Sequence, residues 1–194
     1  MSNIHKEAPS EKQATRLTDH YLVGIGASAG GLEAIHQLFD HFPNNSSFSF
    51  VIIQHLSPDH KSLMAELLSK HTQMHVQEAE DNMRTQPNCV YLLPSGKQLT
   101  LKRGRLRLTN KVRDREPNFA IDHFFESMAK DLGPYAIGVV LSGTGTDGTK
   151  GIKAIKEAGG MVVVQEPQSA KFDGMPVSAI DSGFVDFVLS PERM

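Results

Sequence analysis

The sequence predicts an α/β fold, a mostly parallel, doubly wound (Rossmann-like) sheet flanked by helices. From Tyr21 onward, short β-branched runs alternate with amphipathic segments, which is typical of parallel strands joined by crossover helices. Two of the strand-to-helix junctions are rich in glycine, and such turns place backbone N–H groups at a helix N-terminus. One region departs from the pattern. Gln98–Leu101 and Arg105–Leu108 alternate polar and apolar residues around Gly104 and predict an antiparallel hairpin.

The individual elements follow from the spacing of the apolar residues. Continuous apolar or β-branched runs predict strands at Tyr21–Gly26, Phe50–Gln54, Val90–Leu93, Ala136–Leu141, Met161–Gln165 and Phe184–Val188. Apolar residues repeated at three- and four-residue spacing predict helices at Leu32–His41, Lys61–Lys70, Ile121–Leu132, Gly151–Ala158 and Val177–Asp181.

Length and composition indicate one globular domain. The chain has 194 residues, 39% of them hydrophobic and 22% charged, with a net charge of −2. This balance argues against nucleic acid as a partner, and we interpret the basic run Lys102–Arg107 as a solvated hairpin. No apolar run approaches the roughly 18 residues that span a bilayer. We therefore expect a cytoplasmic protein without direct membrane insertion, in which the single cysteine, Cys89, is a buried structural thiol.

The two ends of the chain differ from the rest. Residues 1–19 are polar and predict a disordered leader, so the folded domain is expected to span 20–194. At the other end, Ser190-Pro191-Glu192 carries the signals of a helix start, and the sequence stops at Met194. This predicts either a trimmed terminal helix or a domain cut from a longer protein.

The glycine-rich turn Gly24–Gly31 is compatible with more than one chemistry. A phosphate-binding P-loop requires a lysine after the last glycine, but Leu32 and Glu33 follow here. A dinucleotide site matches loosely through Gly24, Gly26 and Ala29, although the predicted second strand ends without the acidic residue that binds a ribose. Nucleotide binding therefore stays open as an alternative.

The same turn also contains the pattern of a nucleophile elbow. Gly26–Gly30 reads G-x-S-x-G, which exposes Ser28 at a strand-to-helix turn. The structural alternative is that Ser28 caps the helix that follows. The position directly after the first strand argues against an α/β-hydrolase, in which this elbow comes later in the chain.

A serine nucleophile needs a base and a group that orients the base. In an open parallel sheet, ligand sites form at the carboxyl ends of the strands, and two polar residues meet this condition. His55 follows the second predicted strand, and Asp147 lies in the glycine-rich loop after the strand Ala136–Leu141. Each residue also has a purely structural interpretation. His55 could pack at the surface, and Asp147 could cap the next helix.

The other histidines suggest no metal site. His71 and His75 are four residues apart, but the residues between them lack the glutamate of a zinc-protease helix and no third ligand is evident. His36 and His41 are predicted to face solvent from the first helix. The sequence therefore predicts neither a metal nor a cofactor.

Four segments together resemble the catalytic domain of the chemotaxis protein-glutamate methylesterases, the CheB-type enzymes. They are GIGASAGGLEAI, VIIQHLSP, VVLSGTGTDGTKGI and FDGMPVSAI, in the family's order and spacing, and the resemblance extends from Leu22 to Val188. It implies a Ser-His-Asp triad of Ser28, His55 and Asp147. It also implies that the oxyanion is bound by the backbone N–H groups of Ala29 and Thr144.

The sequence departs from the family pattern in three respects. Many members have Thr at position 29 and Met at position 144, changes that keep the N–H donors but alter the pocket. Only about twenty polar residues precede the first strand, where a phosphorylatable receiver domain is usual. Residues 113–125 resemble the variant found in proteins that fuse this domain to a receptor methyltransferase.

The resemblance implies an esterase that acts on chemoreceptors. Its expected substrates are glutamate methyl esters on the cytoplasmic helices of methyl-accepting receptors, with deamidation of receptor glutamines as a second activity. Fused methyltransferase and sensor domains are further expected partners. The alternatives are a nucleotide-binding module or a receptor-docking module that has lost catalysis.

Overall fold

The computed structural model describes residues 20–43, 46–54, 63–111 and 119–194. The predicted leader at 1–19 therefore lies outside the described residues. Within them, nine strands and five α-helices are present, with 3₁₀ turns at Gly133–Tyr135, Pro167–Ser169 and Pro191–Arg193. The strands are β1 Tyr21–Ala27, β2 Phe48–Gln54, β3 His75–Glu78, β4 Cys89–Leu92, β5 Lys97–Lys102, β6 Arg105–Asn110, β7 Ala136–Val140, β8 Met161–Gln165 and β9 Phe187–Leu189. The helices are α1 Gly31–His41, α2 Leu63–Leu68, α3 Ala120–Leu132, α4 Thr149–Glu157 and α5 Gly174–Asp181.

The sheet confirms the predicted doubly wound architecture. Seven parallel strands run in the order β3-β4-β2-β1-β7-β8-β9, and β5 and β6 form a separate antiparallel hairpin. The chain winds outward from β1 in one direction through β2 and from β7 in the other through β8. The topological switch point therefore lies between β1 and β7, and ligand sites of open α/β sheets form at this position.

Two hydrophobic layers cover the faces of the sheet. Neighbouring residues of β1 point to opposite faces, as the two-residue period of a strand requires. Leu22 packs in the layer that contains α3 and α4, whereas Val23 and Ile25 pack in the layer that contains α1 and α2. Cys89 is buried, as predicted.

Glycines in β1 let α3 approach the sheet closely. A Cβ on Gly24 would lie 2.9 Å from Cε1 of Phe125, and one on Gly26 would overlap Cγ2 of Ile121. Packing against α3 therefore accounts for both glycines that match the dinucleotide spacing. A bound pyrophosphate is not needed to explain them.

Several predicted boundaries were wrong. The edge strand β3 was not predicted, and the last strand covers Phe187–Leu189 instead of Phe184–Val188. Helices α4 and α5 begin earlier than predicted, at Thr149 and Gly174, while the described part of α2 is limited to Leu63–Leu68. Near the end of the chain, the predicted helix start is a 3₁₀ turn at Pro191–Arg193.

His36 does not face solvent as predicted. It is half-buried, and its ring stacks on His71 with centroids 4.0 Å apart. Nδ1 of His71 in turn lies 2.8 Å from Oδ1 of Asp40. Burial, and then the neighbouring His71, lower the pKa of His36. His41 is exposed, in agreement with the prediction.

Candidate active site

Ser28 lies at the switch point of the sheet. It directly follows β1 and is half-buried, and helix α1 begins three residues later at Gly31. The residue that caps this helix is Gly30, in the left-handed conformation with φ 72°, and no side chain caps it. The proposed capping role of Ser28 is therefore wrong. Its hydroxyl does not hold the helix terminus.

A second glycine-rich loop, Ser142–Gly148, joins the serine turn from the neighbouring strand β7. The backbone N–H of Ser28 donates to the carbonyl oxygen of Ser142 at 3.0 Å. A Cβ on Gly143 would lie 2.9 Å from Cβ of Ser28 and would overlap Sδ of Met175. Only glycine lets these two loops come so close.

The N–H groups predicted to bind the oxyanion lie in these two loops. Ala29 follows Ser28 and is half-buried, while Thr144 follows Gly143 and is exposed. Within the described part of the chain, neither backbone N–H donates a hydrogen bond to another protein atom. Both donors, and the positive end of the α1 dipole, therefore remain available to a developing negative charge.

Asp147 caps a helix, but not the adjacent helix that its sequence position suggested. It does not cap α4, whose first residue is preceded by Gly148 with φ 98° and no side-chain cap. Its carboxylate instead accepts the N–H groups of Ile121 (3.1 Å) and Asp122 (2.9 Å) at the start of α3. The side chain is 7% exposed. A carboxylate has about four acceptor sites, so these two bonds leave room for a further donor.

His55, the predicted base, lies outside the described residues. The last described residue before it, Gln54, pairs with Ala27 in the parallel register of β1 and β2. Thus Gln54 and Ala27, which precede His55 and Ser28, are neighbours at the same end of two adjacent strands.

The sequence did not reveal the residues that hold the two loops together. The hydroxyl of Ser142 lies 2.9 Å from the carbonyl oxygen of Ala29 and 3.2 Å from that of Phe172, and it accepts the N–H of Phe172 at 3.0 Å. Oε1 of Gln165 accepts the N–H of Ser142 at 2.8 Å. The one signal in the sequence was a glutamine at the end of the apolar strand Met161–Gln165, whose carboxyl end lies on the same sheet edge as Ser28.

An open polar groove of about 270 Å³ begins beside the serine turn. It runs from Gly30 between α1 and the segment after β8, and it carries one acidic and one basic side chain, Glu33 and Lys171.

No group of three or more His, Cys, Asp or Glu residues among the described positions is arranged to hold a metal ion. No described helix has both the length and the apolar character to cross a membrane.

The crowding of Gly143 leads to a testable prediction. We expect Gly143→Ala to cost about 1–3 kcal/mol of stability through overpacking and to displace Ser28 from the second loop. Any reaction at Ser28 should therefore slow by more than the loss of folded protein explains. The matched control is Gly138→Ala, whose Cβ would lie 2.6 Å from Cδ1 of Ile155, within the core. Equal activity per folded molecule in the two variants would contradict the proposed contact.

A serine at a strand end, beside two N–H groups that donate to no protein atom in the described part of the chain, is the arrangement found in serine hydrolases. Comparison of the chain with known protein families agrees with this class. The family model of the CheB methylesterases matches residues 23–194. The chain belongs to the CheB methylesterase family.

Relatives and a solved structure support the assignment. The chain is 35% identical over 190 residues to protein-glutamate methylesterase/protein-glutamine glutaminase 1 of Xanthomonas campestris, covering 96% of this chain and 52% of the relative. The Salmonella typhimurium methylesterase/glutaminase is 36% identical over 182 residues, with 92% and 52% covered. The Thermotoga maritima CheB methylesterase catalytic domain superposes with a TM-score of 0.81 at 29% identity, over 91% of this chain and 95% of that domain.

A further relative has a much longer chain. A 104.1 kDa protein encoded in the hypE 3' region of Rhodobacter capsulatus is 48% identical over 131 residues, 68% of this chain and 14% of that protein. The chain thus spans about half the length of the two methylesterase relatives and a small part of this one.

Proposed function

We propose that this protein is a serine esterase that hydrolyses glutamate methyl esters on methyl-accepting chemoreceptors. The observation that carries the proposal is the contact between the Ser28 turn and the Ser142–Gly148 loop, where the Ala29 and Thr144 N–H groups have no acceptor among the described residues. Membership of the CheB methylesterase family and the names of the relatives supply the substrate class. Receptor glutamines are the second proposed substrate, because the same site chemistry hydrolyses an amide.

In the proposed mechanism, His55 removes the proton of the Ser28 hydroxyl as its oxygen attacks the ester carbonyl carbon. The Ala29 and Thr144 N–H groups bind the resulting oxyanion, and Asp147 orients the imidazole and stabilises its charged form. The intermediate collapses, and His55 protonates the leaving methoxide, which departs as methanol. Water activated by His55 then hydrolyses the acyl-enzyme and releases the glutamate carboxylate and the free serine.

The proposed partner is the cytoplasmic helical region of a receptor, so we also propose a cytoplasmic location. The polar groove beside Gly30, with Glu33 and Lys171, offers side chains of both signs to residues flanking the methylated glutamate. From the resemblance of residues 113–125, of which 113–118 lie outside the described residues, we propose that methyltransferase and sensor domains accompany this domain.

The proposal is tested with a receptor cytoplasmic fragment whose glutamates carry tritiated methyl esters. We expect volatile tritiated methanol to appear as the ester content of the fragment falls. An unrelated protein with chemically methylated carboxylates controls for unspecific hydrolysis. Binding of the fragment without methanol release would favour a docking module, and tight binding of NAD without hydrolysis would favour a nucleotide-binding module. Either result would contradict the proposed activity.

A further inference from the structure

At the N-termini of α3 and α4, a carboxylate from each segment accepts backbone N–H groups in the first turn of the other helix. Asp147, in the loop before α4, accepts the N–H groups of Ile121 and Asp122 in the first turn of α3. The side chain of Asp122 reaches the other way, and its Oδ1 accepts the N–H of Gly151 in the first turn of α4 at 2.8 Å. Each helix dipole therefore stabilises the acid that belongs to the other segment.

Close packing makes this exchange possible. A Cβ on Gly151 would lie 2.5 Å from Cβ of Phe125 and 3.1 Å from Cα of Asp122. The absence of a side chain lets the first turn of α4 lie directly against α3. The relative position of Asp122 and the loop that carries Asp147 is consequently fixed by backbone contacts on both sides.

Asp122 is a buried acid with an acidic neighbour. It is 3% exposed, and the described residues place no lysine or arginine within ion-pair distance of it. Burial raises its pKa above the ordinary 3.8, the Gly151 and Gly148 N–H groups oppose this shift, and the charges of Asp147 and Glu126 add to it. On α4, Lys150 directs its ammonium group over the Phe119 ring, 5.5 Å from the centroid.

We propose that Asp122 is a positioning residue for the esterase site, acting as an ionised carboxylate through Asp147. It holds the start of α4 and thereby the loop that carries Asp147, and it adds a second negative charge next to the acid that we propose orients the base. The inference rests on the proposed function insofar as Asp147 orients the base. A negative charge near the base favours the imidazolium, so Asp122 makes the base stronger.

The test compares Asp122→Asn with Asp131→Asn. Asparagine is nearly isosteric and can still accept the Gly151 N–H, but it carries no charge. Asp131 is a matched control because it lies on the same helix and also accepts two backbone N–H groups, those of Arg103 (2.6 Å) and Gly104 (2.7 Å). It lies about 14 Å along α3 from Asp122, at the hairpin end.

Two rates are measured for each variant as a function of pH. The first is methanol release from the methylated receptor fragment, and the second is phosphonylation of Ser28 by a fluorophosphonate. The second reports activation of the serine without any receptor. For Asp122→Asn we expect both rates to fall about 10- to 100-fold, with KM unchanged. We also expect the acid limb of both pH profiles to move down by about half a pH unit or more. Asp131→Asn should leave both profiles unchanged.

The outcomes separate this inference from the proposed function. Identical pH profiles for wild type, Asp122→Asn and Asp131→Asn would overturn the positioning role and leave the esterase intact. A wild type that is phosphonylated at Ser28 with the expected Asp122 effect, but releases no methanol, would overturn the substrate and support the positioning role. A lower rate with an unmoved acid limb would show a structural contribution only and would also overturn the proposal.

Stability measurements test whether Asp122 is ionised in the folded protein. Because the folded-state pKa is raised, the folded chain holds this proton more tightly than the unfolded chain. Wild-type stability should therefore decline, relative to Asp122→Asn, as the pH rises from about 4 through the folded-state pKa. Denaturant unfolding at several pH values measures this difference. The difference should level off above the folded-state pKa, where Asp122 is ionised in both states. A difference that is still declining at pH 8 would contradict ionisation of Asp122 at neutral pH.

Discussion

Substitution of Ser28 by alanine is expected to lower ester hydrolysis by about 10⁶-fold, the largest effect in the chain. Removal of the nucleophile from a serine triad has consequences of this order, because the remaining residues act on a step that no longer occurs. A residual rate above that in water should persist, since the Ala29 and Thr144 N–H groups are backbone donors that the substitution leaves in place. Turnover of an activated ester by wild type and variant measures the ratio.

The Ser28 variant should fold normally. Its hydroxyl does not cap α1, so the substitution removes no helix-terminal bond. Ser178→Ala provides a control, because the Ser178 hydroxyl bonds to that of Thr149 at 3.0 Å on the α4–α5 side of the domain. That variant should retain wild-type turnover. Comparable loss in both variants would place the defect in folding and remove Ser28 from the chemistry.

Substitution of Asp147 by asparagine is expected to reduce hydrolysis by about 10⁴-fold and also to destabilise the protein. The catalytic loss follows from the proposed role, because an amide does not hold the base in the tautomer that accepts the serine proton. The loss of stability follows from the structure. The two carboxylate oxygens accept one N–H each, so the NH₂ of asparagine would face the donor Ile121 or the donor Asp122. We expect a cost of about 1–3 kcal/mol.

The Asp131→Asn variant separates these two effects. Its carboxylate also uses both oxygens to accept backbone N–H groups, so the asparagine creates the same donor–donor conflict. Unfolding experiments should show destabilisation of both variants, smaller at position 131 because its bonds are more exposed, and turnover should fall only at position 147. If both variants retain turnover, Asp147 is a helix cap and has no part in the reaction.

Local sequence patterns predicted the sheet and the placement of Ser28 and Asp147. Both residues follow β-branched strands in glycine-rich loops, and parallel strands with right-handed crossovers bring such loops to one edge. The edge strand His75–Glu78 was missed because it is short and its four residues are half-buried or exposed, so it lacks an apolar pattern.

Tertiary contacts that leave no local pattern account for what was missed at the site. The role of Ser142 depends on Ala29 and Phe172, which are far away in sequence. Likewise, Asp147 caps α3 instead of the adjacent α4, because Gly151 lets the first turn of α4 pack close to α3, and each carboxylate then reaches N–H groups of the other helix. Gly24 and Gly26 resembled a nucleotide fingerprint for a related reason. A bound pyrophosphate and a closely packed helix both need glycine at the positions where they approach the backbone.

The central claim is that Ser28, placed by the contact between the two glycine-rich loops, is the nucleophile of a serine esterase. Mass spectrometry of the protein after treatment with a fluorophosphonate tests this most directly, by counting adducts and mapping the modified peptide. The account predicts one adduct per chain, on Ser28, with no adduct in Ser28→Ala and a strongly reduced rate in Asp147→Asn. An adduct on another residue, or a wild type that hydrolyses esters while Ser28 stays unmodified, would contradict it.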